Sequence, residues 1–156
     1  MNDSRFMGEA LELAKAAGDL GEVPVGAVVV VGGQVVGRGY NRREVDCDPL
    51  SHAELKAIAE ASAALKSWRL SEATLYVTLE PCTMCAGALI QARLGRLVFG
   101  AMDPKAGAVG SLYDLLKDDR LNHQVAVTRG VLEVECSTIL KDFFVALRGR
   151  KKAAPK

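Results

Sequence analysis

Long apolar runs are missing from this sequence. No stretch approaches the roughly 18 consecutive apolar residues of a membrane span, and the opening Met1-Asn2-Asp3-Ser4 is not a basic leader followed by an apolar run, so a cytoplasmic protein with no membrane partner is expected. Cysteine is scarce, with four in 156 residues, too few for a disulfide scaffold, and the reducing cytosol would keep them as thiols. Aromatic residues reach only 5%. Neither the glycine period of collagen nor the weak hydrophobicity of a disordered chain is present, since 49% of residues are hydrophobic and 25% charged. The length suits one domain that can bury a core without staples.

A surplus of charge of one sign is missing too. Twenty Lys and Arg against nineteen Asp and Glu leave +1, which by itself argues against a protein built to embrace a polyanion. The balance hides an asymmetry. Residues 141–156 hold six bases and one acid, a net +5, while the other 140 residues carry −4. Such a segment is either a solvated end or a binding arm, and residues 149–156 are set apart as a basic C-terminal tail on a single domain over 1–148.

What is present is periodicity. Phe6, Ala10, Leu13, Ala14 and Ala17 mark one face of a first helix, from Ser4 to near Gly18 or Gly21. β-rich runs at 25–31 and 34–40 flank Gly32-Gly33, the signature of a tight hairpin. A helical stripe from Ala53 to Leu65, a strand at 74–78, a helix from about Pro81-Cys82 to Ala92 and a strand at 96–99 follow. A glycine-rich loop at 100–110, a short helix at 112–117, a strand at 125–128 and a helix at 132–147 complete the chain. A hairpin feeding strand-helix-strand units implies an α/β fold, a three-layer α-β-α arrangement with a mixed five-stranded sheet. Ligands of such sheets lie beyond the carboxyl ends of the strands.

Two strand-to-helix junctions carry unusual residues. His52-Ala53-Glu54 enters the second helix and Pro81-Cys82-Thr83-Met84-Cys85 the third. Cysteines three apart at a helix start can face one point, and the helix dipole favours their thiolate form. With His52 they make three ligands, the number a catalytic zinc takes while keeping a fourth position for water. Two residues on a regular helix diverge by about 200°, so His52 must sit at the non-helical entry for Glu54 to reach that water as its base. Other uses of these atoms exist. A Cys-x-x-Cys redox pair would leave His52 and Glu54 without purpose, and Cys47 could close a structural Cys3His site that needs no Glu54. Cys47 lies in an acidic loop and Cys136 on the core stripe of the last helix, so both are expected to be non-ligands.

His-x-Glu at one junction and Pro-Cys-x-x-Cys at the next form the signature of zinc-dependent nucleobase deaminases. The chain resembles the cytidine deaminase superfamily, and within it the bacterial tRNA-specific adenosine deaminases. The likeness runs through Glu22-Val23-Pro24-Val25-Gly26-Ala27, Gly39-Tyr40-Asn41-Arg42, Asp48-Pro49, 74–82 and Met84-Cys85-Ala86-Gly87-Ala88. It continues in Val98-Phe99-Gly100-Ala101, Gly110-Ser111-Leu112, Asn122-His123 and Asp142-Phe143-Phe144. The resemblance implies one Zn2+ per subunit on His52, Cys82 and Cys85, and a zinc-activated water that replaces the amino group at C6 of adenosine to give inosine and ammonia. Glu54 would shuttle the protons. The implied substrate is the wobble adenosine of an arginine tRNA, presented by the anticodon stem-loop as a flipped-out nucleotide, and the implied assembly is a homodimer. Asn41, Val25, Ala53 and Leu79 match base-pocket positions. Asp103, Lys105, Asn122, Phe143, Phe144 and Arg148 match positions around the anticodon loop. Of the two phenylalanines Phe144, off the apolar stripe, is the better stacking candidate, and Phe143 is expected in the core. The basic segment beginning on that helix is then expected to face RNA.

Overall fold

A computed structural model of the chain describes residues 2–153. Helix α1 (Asp3–Asp19) precedes a hairpin of β1 (Gly26–Val31) and β2 (Gln34–Tyr40). Then come α2 (Ala53–Leu65), β3 (Thr74–Leu79), α3 (Thr83–Gln91), β4 (Arg96–Ala101), a 3-10 turn at Leu115–Lys117, β5 (Ala126–Arg129) and α4 (Glu133–Ala153). The sheet order is β2-β1-β3-β4-β5. β1 is antiparallel to both neighbours, while β3, β4 and β5 run parallel, so the expected mixed five-stranded sheet is present.

Strand periodicity divides the core. Ala27, Val29, Leu75, Val77, Leu97 and Phe99 point to the face covered by Ala53, Ala57 and Ala61 of α2 and Ala86, Leu89 and Ile90 of α3. Their neighbours Val28, Val30, Tyr76 and Val98 point the other way, onto Phe6, Met7, Ala10 and Leu11 of α1 and Cys136, Ile139 and Leu140 of α4. Both faces are buried, which is why the central strands read as unbroken apolar runs and not as alternation. Gly32 and Gly33 turn the hairpin at φ +56° and +77°, the two positive values a type I′ turn demands. Gly37 and Gly39 act differently: a Cβ there would fall 2.2 and 2.4 Å from the carbonyl oxygens of Ala57 and Ala53. Their bareness lets α2 lie directly on β2, which fixes where its first turn points. At the other end of the sheet, Asp3 accepts two hydrogen bonds from the Arg96 guanidinium (3.0 and 2.8 Å) and one from the Tyr76 hydroxyl (2.7 Å). Arg96 also donates to Thr128 Oγ1 at 2.8 Å, so one cluster ties α1 to three strands.

Several boundaries differ from expectation. α3 begins at Thr83, not Pro81-Cys82, because Cys82 stays extended (ψ 178°) as its N-cap. The helix expected at 112–117 shrinks to the 3-10 turn: the Leu115 N–H donates to the Ala108 carbonyl and not to Ser111, and the Tyr113 carbonyl that Lys117 would need accepts from the Gly110 N–H. β4 extends to Ala101, and β5 is shifted one residue to 126–129. α4 does not stop at 147; with no proline before 155 it runs through Gly149 to Ala153. The expected basic tail therefore starts inside a helix, and its residues 154–156 lie outside the described residues. No described helix is long and apolar enough to cross a membrane.

Candidate active site

The carboxyl ends of β3 and β4, the amino end of β1 and the carboxyl end of β2 all lie at one edge of the sheet. Both unusual junctions open there. His52 caps α2 in an extended conformation (φ −87°, ψ 152°), so Glu54, the second helical residue, turns into the same space as the imidazole, as the divergence argument requires. Cys82 caps α3 and Cys85 sits in its first turn. His52 Nδ1 lies 3.7 Å from Cys82 Sγ and 3.5 Å from Cys85 Sγ. The three ligand atoms lie within 4.8 Å of one another and form a potential metal site among the described residues. Cys47 does not join it: exposed and at φ +48°, it directs its thiol to the Glu44 carbonyl. Cys136 is buried in the opposite core layer.

The donor set and spacing fit zinc. Bonds of about 2.3 Å to sulfur and 2.0 Å to nitrogen at tetrahedral angles separate sulfur from nitrogen by about 3.5 Å, close to both observed distances. The charge state fits as well. A hydrogen bond from the Cys85 thiol, then one with His52 and the Cys85 backbone N–H, pull Cys82 down to about 3 against its burial. The bond to Cys82, with burial, pushes Cys85 up; a metal would displace that proton. The contact with Cys82 also raises His52. Glu54 is 4% exposed. Burial raises it to about 7, opposed by a backbone hydrogen bond and by His52.

His52, Glu54 and Cys82 form the floor of a cavity of about 170 Å³ walled by Val23, Val25, Asn41, Ala53, Leu79 and Ala106. That is small beside the 300–1,000 Å³ or so of sites for drug-sized ligands, and suits one ring system with the rest of a ligand left outside. Asn41 is fixed in the wall: its Nδ2 donates to the Val23 carbonyl and its Oδ1 accepts from the Arg43 N–H, both at 3.1 Å. The cavity opens onto a groove of about 920 Å³ between α4 and the loop after β4, and Val23, Leu79 and Asp103 line both. Lys105, Phe144 and Arg148 line the groove with Met102, Leu140 and Lys141. Phe144 is 40% exposed and braced edge-on by half-buried Phe143, with ring centroids 5.4 Å apart. Asn122 is not brought to this region. It precedes β5, whose first residue pairs with Arg96 at the start of β4, the far edge of the sheet, and it lines neither space.

Sequence reasoning assigned no role to Arg43, Ala106, Glu22 or Glu80. Arg43, Ala106 and Glu80 line the cavity. Glu80, 2% exposed, accepts from the N–H groups of Asp103, Val109 and Ser111 and from the Ser111 hydroxyl. The loop passes so near that a Cβ on Gly107 would lie 2.3 Å from the Glu80 carboxyl carbon. Glu22, 1% exposed, accepts from the N–H groups of Glu44 and Val45 at 3.0–3.1 Å. Each wall of the cavity thus hangs on its own buried carboxylate. The available signal was an acid set in an apolar stretch, Leu79-Glu80-Pro81 and Glu22-Val23-Pro24, where an acid is buried only if it is partnered.

The chain matches the MafB19-like deaminase family model over residues 1–148. It is 52% identical over 154 residues to a tRNA-specific adenosine deaminase of Bacillus subtilis, covering 99% of this chain and 96% of that one. A solved structure from work on A-to-I editing by tRNA:A34 deaminases at the wobble position superimposes with a TM-score of 0.84 at 46% identity, covering 87% of this chain and 99% of that one. A guanine deaminase from Nitrosomonas europaea superimposes with a TM-score of 0.78 at 25% identity, covering 90% and 83%. A histidine, two cysteines and a buried glutamate meeting at one sheet edge are thus found in a chain that belongs to the MafB19-like deaminases and, among them, to the tRNA-specific adenosine deaminase family.

Proposed function

We propose that the protein converts adenosine to inosine by hydrolysis at the wobble position of a tRNA anticodon, with arginine tRNA as substrate and one zinc ion held by His52, Cys82 and Cys85. The observation that carries this is the buried Glu54 carboxyl beside the ligand triad at the floor of a cavity for a single base. Zinc there would supply a water acidic enough to act as nucleophile near neutral pH. Glu54 takes one proton from the water and passes it to the purine ring nitrogen, then takes the second from the hydroxyl on C6 and passes it to the amino group, which leaves as ammonia. Asn41 keeps one amide hydrogen and one lone pair beyond its two wall contacts, enough to read the edge of a base. Val25, Ala53 and Leu79 supply the apolar enclosure.

The groove outside suits the flanking loop nucleotides. Phe144 offers a stacking face, Lys105 and Arg148 offer charge, and Asp103 stands at the shared rim. The target must be unpaired and flipped, because C6 is unreachable within a stacked helix. The proposed assembly is a homodimer in the cytoplasm, and its support is the family likeness alone; sedimentation velocity with metal analysis tests it. Asn122, at the far edge, would meet RNA only as part of that larger assembly. For the activity, the zinc-loaded full chain is incubated with an anticodon stem-loop bearing a wobble adenosine, and in parallel with free adenosine, adenine and guanine. Inosine in the stem-loop is the expected product. No inosine at full zinc loading, or turnover of the free purines without gain from the loop, would refute the proposal.

A further inference from the structure

The cavity has one side chain of permanent positive charge, Arg43, among Glu54, Glu80 and Asp103. Its backbone is held from several sides. Its N–H donates to Asn41 Oδ1, its carbonyl accepts from the Asp48 N–H at 3.1 Å, and the next two N–H groups are taken by buried Glu22. The head is otherwise: the side chain is 54% exposed and its ionic contact is Glu44 Oε1 at 3.6 Å, itself 76% exposed, a pair worth little in water. A rigid root thus carries an underused guanidinium to the mouth of a cavity too small for more than a base. Whatever joins that base to its neighbours must pass the mouth, where Asp103 repels a phosphate and, among the described residues lining the cavity, Arg43 is the one that compensates.

We infer that Arg43 pairs with a backbone phosphate of the flipped nucleotide or of its immediate neighbour, so that this wall selects a nucleotide in an RNA strand over a free base or nucleoside. The inference rests on the proposed RNA substrate. It adds a cation in the cavity wall to those that line the groove, so that the strand is held at the mouth as well as along the groove.

The test is binding of a labelled anticodon stem-loop to the zinc-loaded full chain over a series of salt concentrations. Arg43→Ala is expected to weaken binding about tenfold, the usual scale for a lost charge-assisted contact, and to reduce the log–log salt slope by about 0.7, the value of one phosphate contact on a single strand. Arg43→Lys should recover the slope and part of the affinity. In stem-loops carrying one neutral methylphosphonate 5′ or 3′ of the wobble adenosine, one position should penalise the native protein and leave Arg43→Ala indifferent. Native-like affinity and slope in Arg43→Ala, or equal methylphosphonate penalties in both proteins, would overturn the inference while leaving inosine formation by the native protein intact. Failure of the native protein itself to bind or edit the stem-loop would overturn the proposed function and this inference together.

Discussion

Replacing Glu80 by glutamine removes one oxygen's accepting power while keeping shape, at a side chain where four donors converge. Oε1 accepts from the Asp103 N–H (2.9 Å) and the Ser111 hydroxyl, and Oε2 from the N–H groups of Val109 (2.9 Å) and Ser111 (3.0 Å). The least costly placement of the new amide turns its NH2 toward Asp103 and Ser111 Oγ, because the hydroxyl can rotate to accept. The Asp103 N–H is then orphaned, at about 1–3 kcal/mol, and the remaining bonds lose their charge assistance, for a total of about 2–4 kcal/mol. At an m-value of about 2 kcal/mol per molar urea, the unfolding midpoint should fall by about 1–2 M with the slope unchanged. Burial alone would raise the Glu80 pKa, but Ser111 and the backbone N–H groups of Asp103, Ser111 and Val109 hold it below its ordinary value of 4.5. Its contribution is therefore complete above that value and fades as pH falls through the lower folded-state value, so native and Glu80→Gln proteins should converge in stability in acid. A loss under about 1 kcal/mol at pH 7, or a difference that persists in acid, would refute the account of Glu80 as the charged anchor of the loop after β4.

Three further outcomes are expected. Glu54→Gln should retain zinc and fold yet lower the rate of inosine formation by about 10²-fold or more, the scale of a lost proton carrier; activity within a few fold of native in a single-turnover assay would remove Glu54 from the chemistry. Cys47→Ser should leave zinc content unchanged, while Cys85→Ser should lose the metal; a fall in zinc with Cys47→Ser, measured by elemental analysis, would restore the closed structural site. Asp3→Asn should cost about 1–3 kcal/mol at pH 7, as the bidentate Arg96 contact loses its charge. The Arg96 bonds lower the Asp3 pKa below its ordinary 3.8, so that stability is present above pH ~4 and is lost as pH falls through the folded-state value; a constant gap between the two proteins from pH 7 to pH 3 in thermal melts would contradict this.

The site's chemistry was legible because it is written in short spacings. His52, Glu54, Cys82 and Cys85 each sit within a turn of a helix start, where sequence and geometry nearly coincide, and the extended His52 followed from the angular divergence of two helical residues. The order of elements along the chain was largely implied by apolar runs and by the glycine pair at 32–33. The walls were less legible. Glu22 and Glu80 act on backbone N–H groups some 20 to 30 residues away, a distance no periodicity spans. The stretch at 112–117 suggested a helix because the sequence does not reveal that its Leu115 N–H and Tyr113 carbonyl are already claimed. The end of α4 was missed because the apolar stripe stops at Leu147, whereas the helix continues to Ala153.

Most of the bases of the C-terminal segment belong to α4, whose Lys141 and Arg148 line the groove, while the rest of the chain is net acidic. A molecule of total charge +1 exerts almost no pull on RNA beyond a Debye length of about 8 Å at physiological salt. It has instead an uneven distribution of charge, which acts on an approaching polyanion as a torque. Encounters would be turned toward the α4 end, which raises the share that are productive, so raising salt should slow formation of the complex. Such a protein gains little by lingering on arbitrary stretches of nucleic acid, and keeps its attraction for a strand already within reach of the groove.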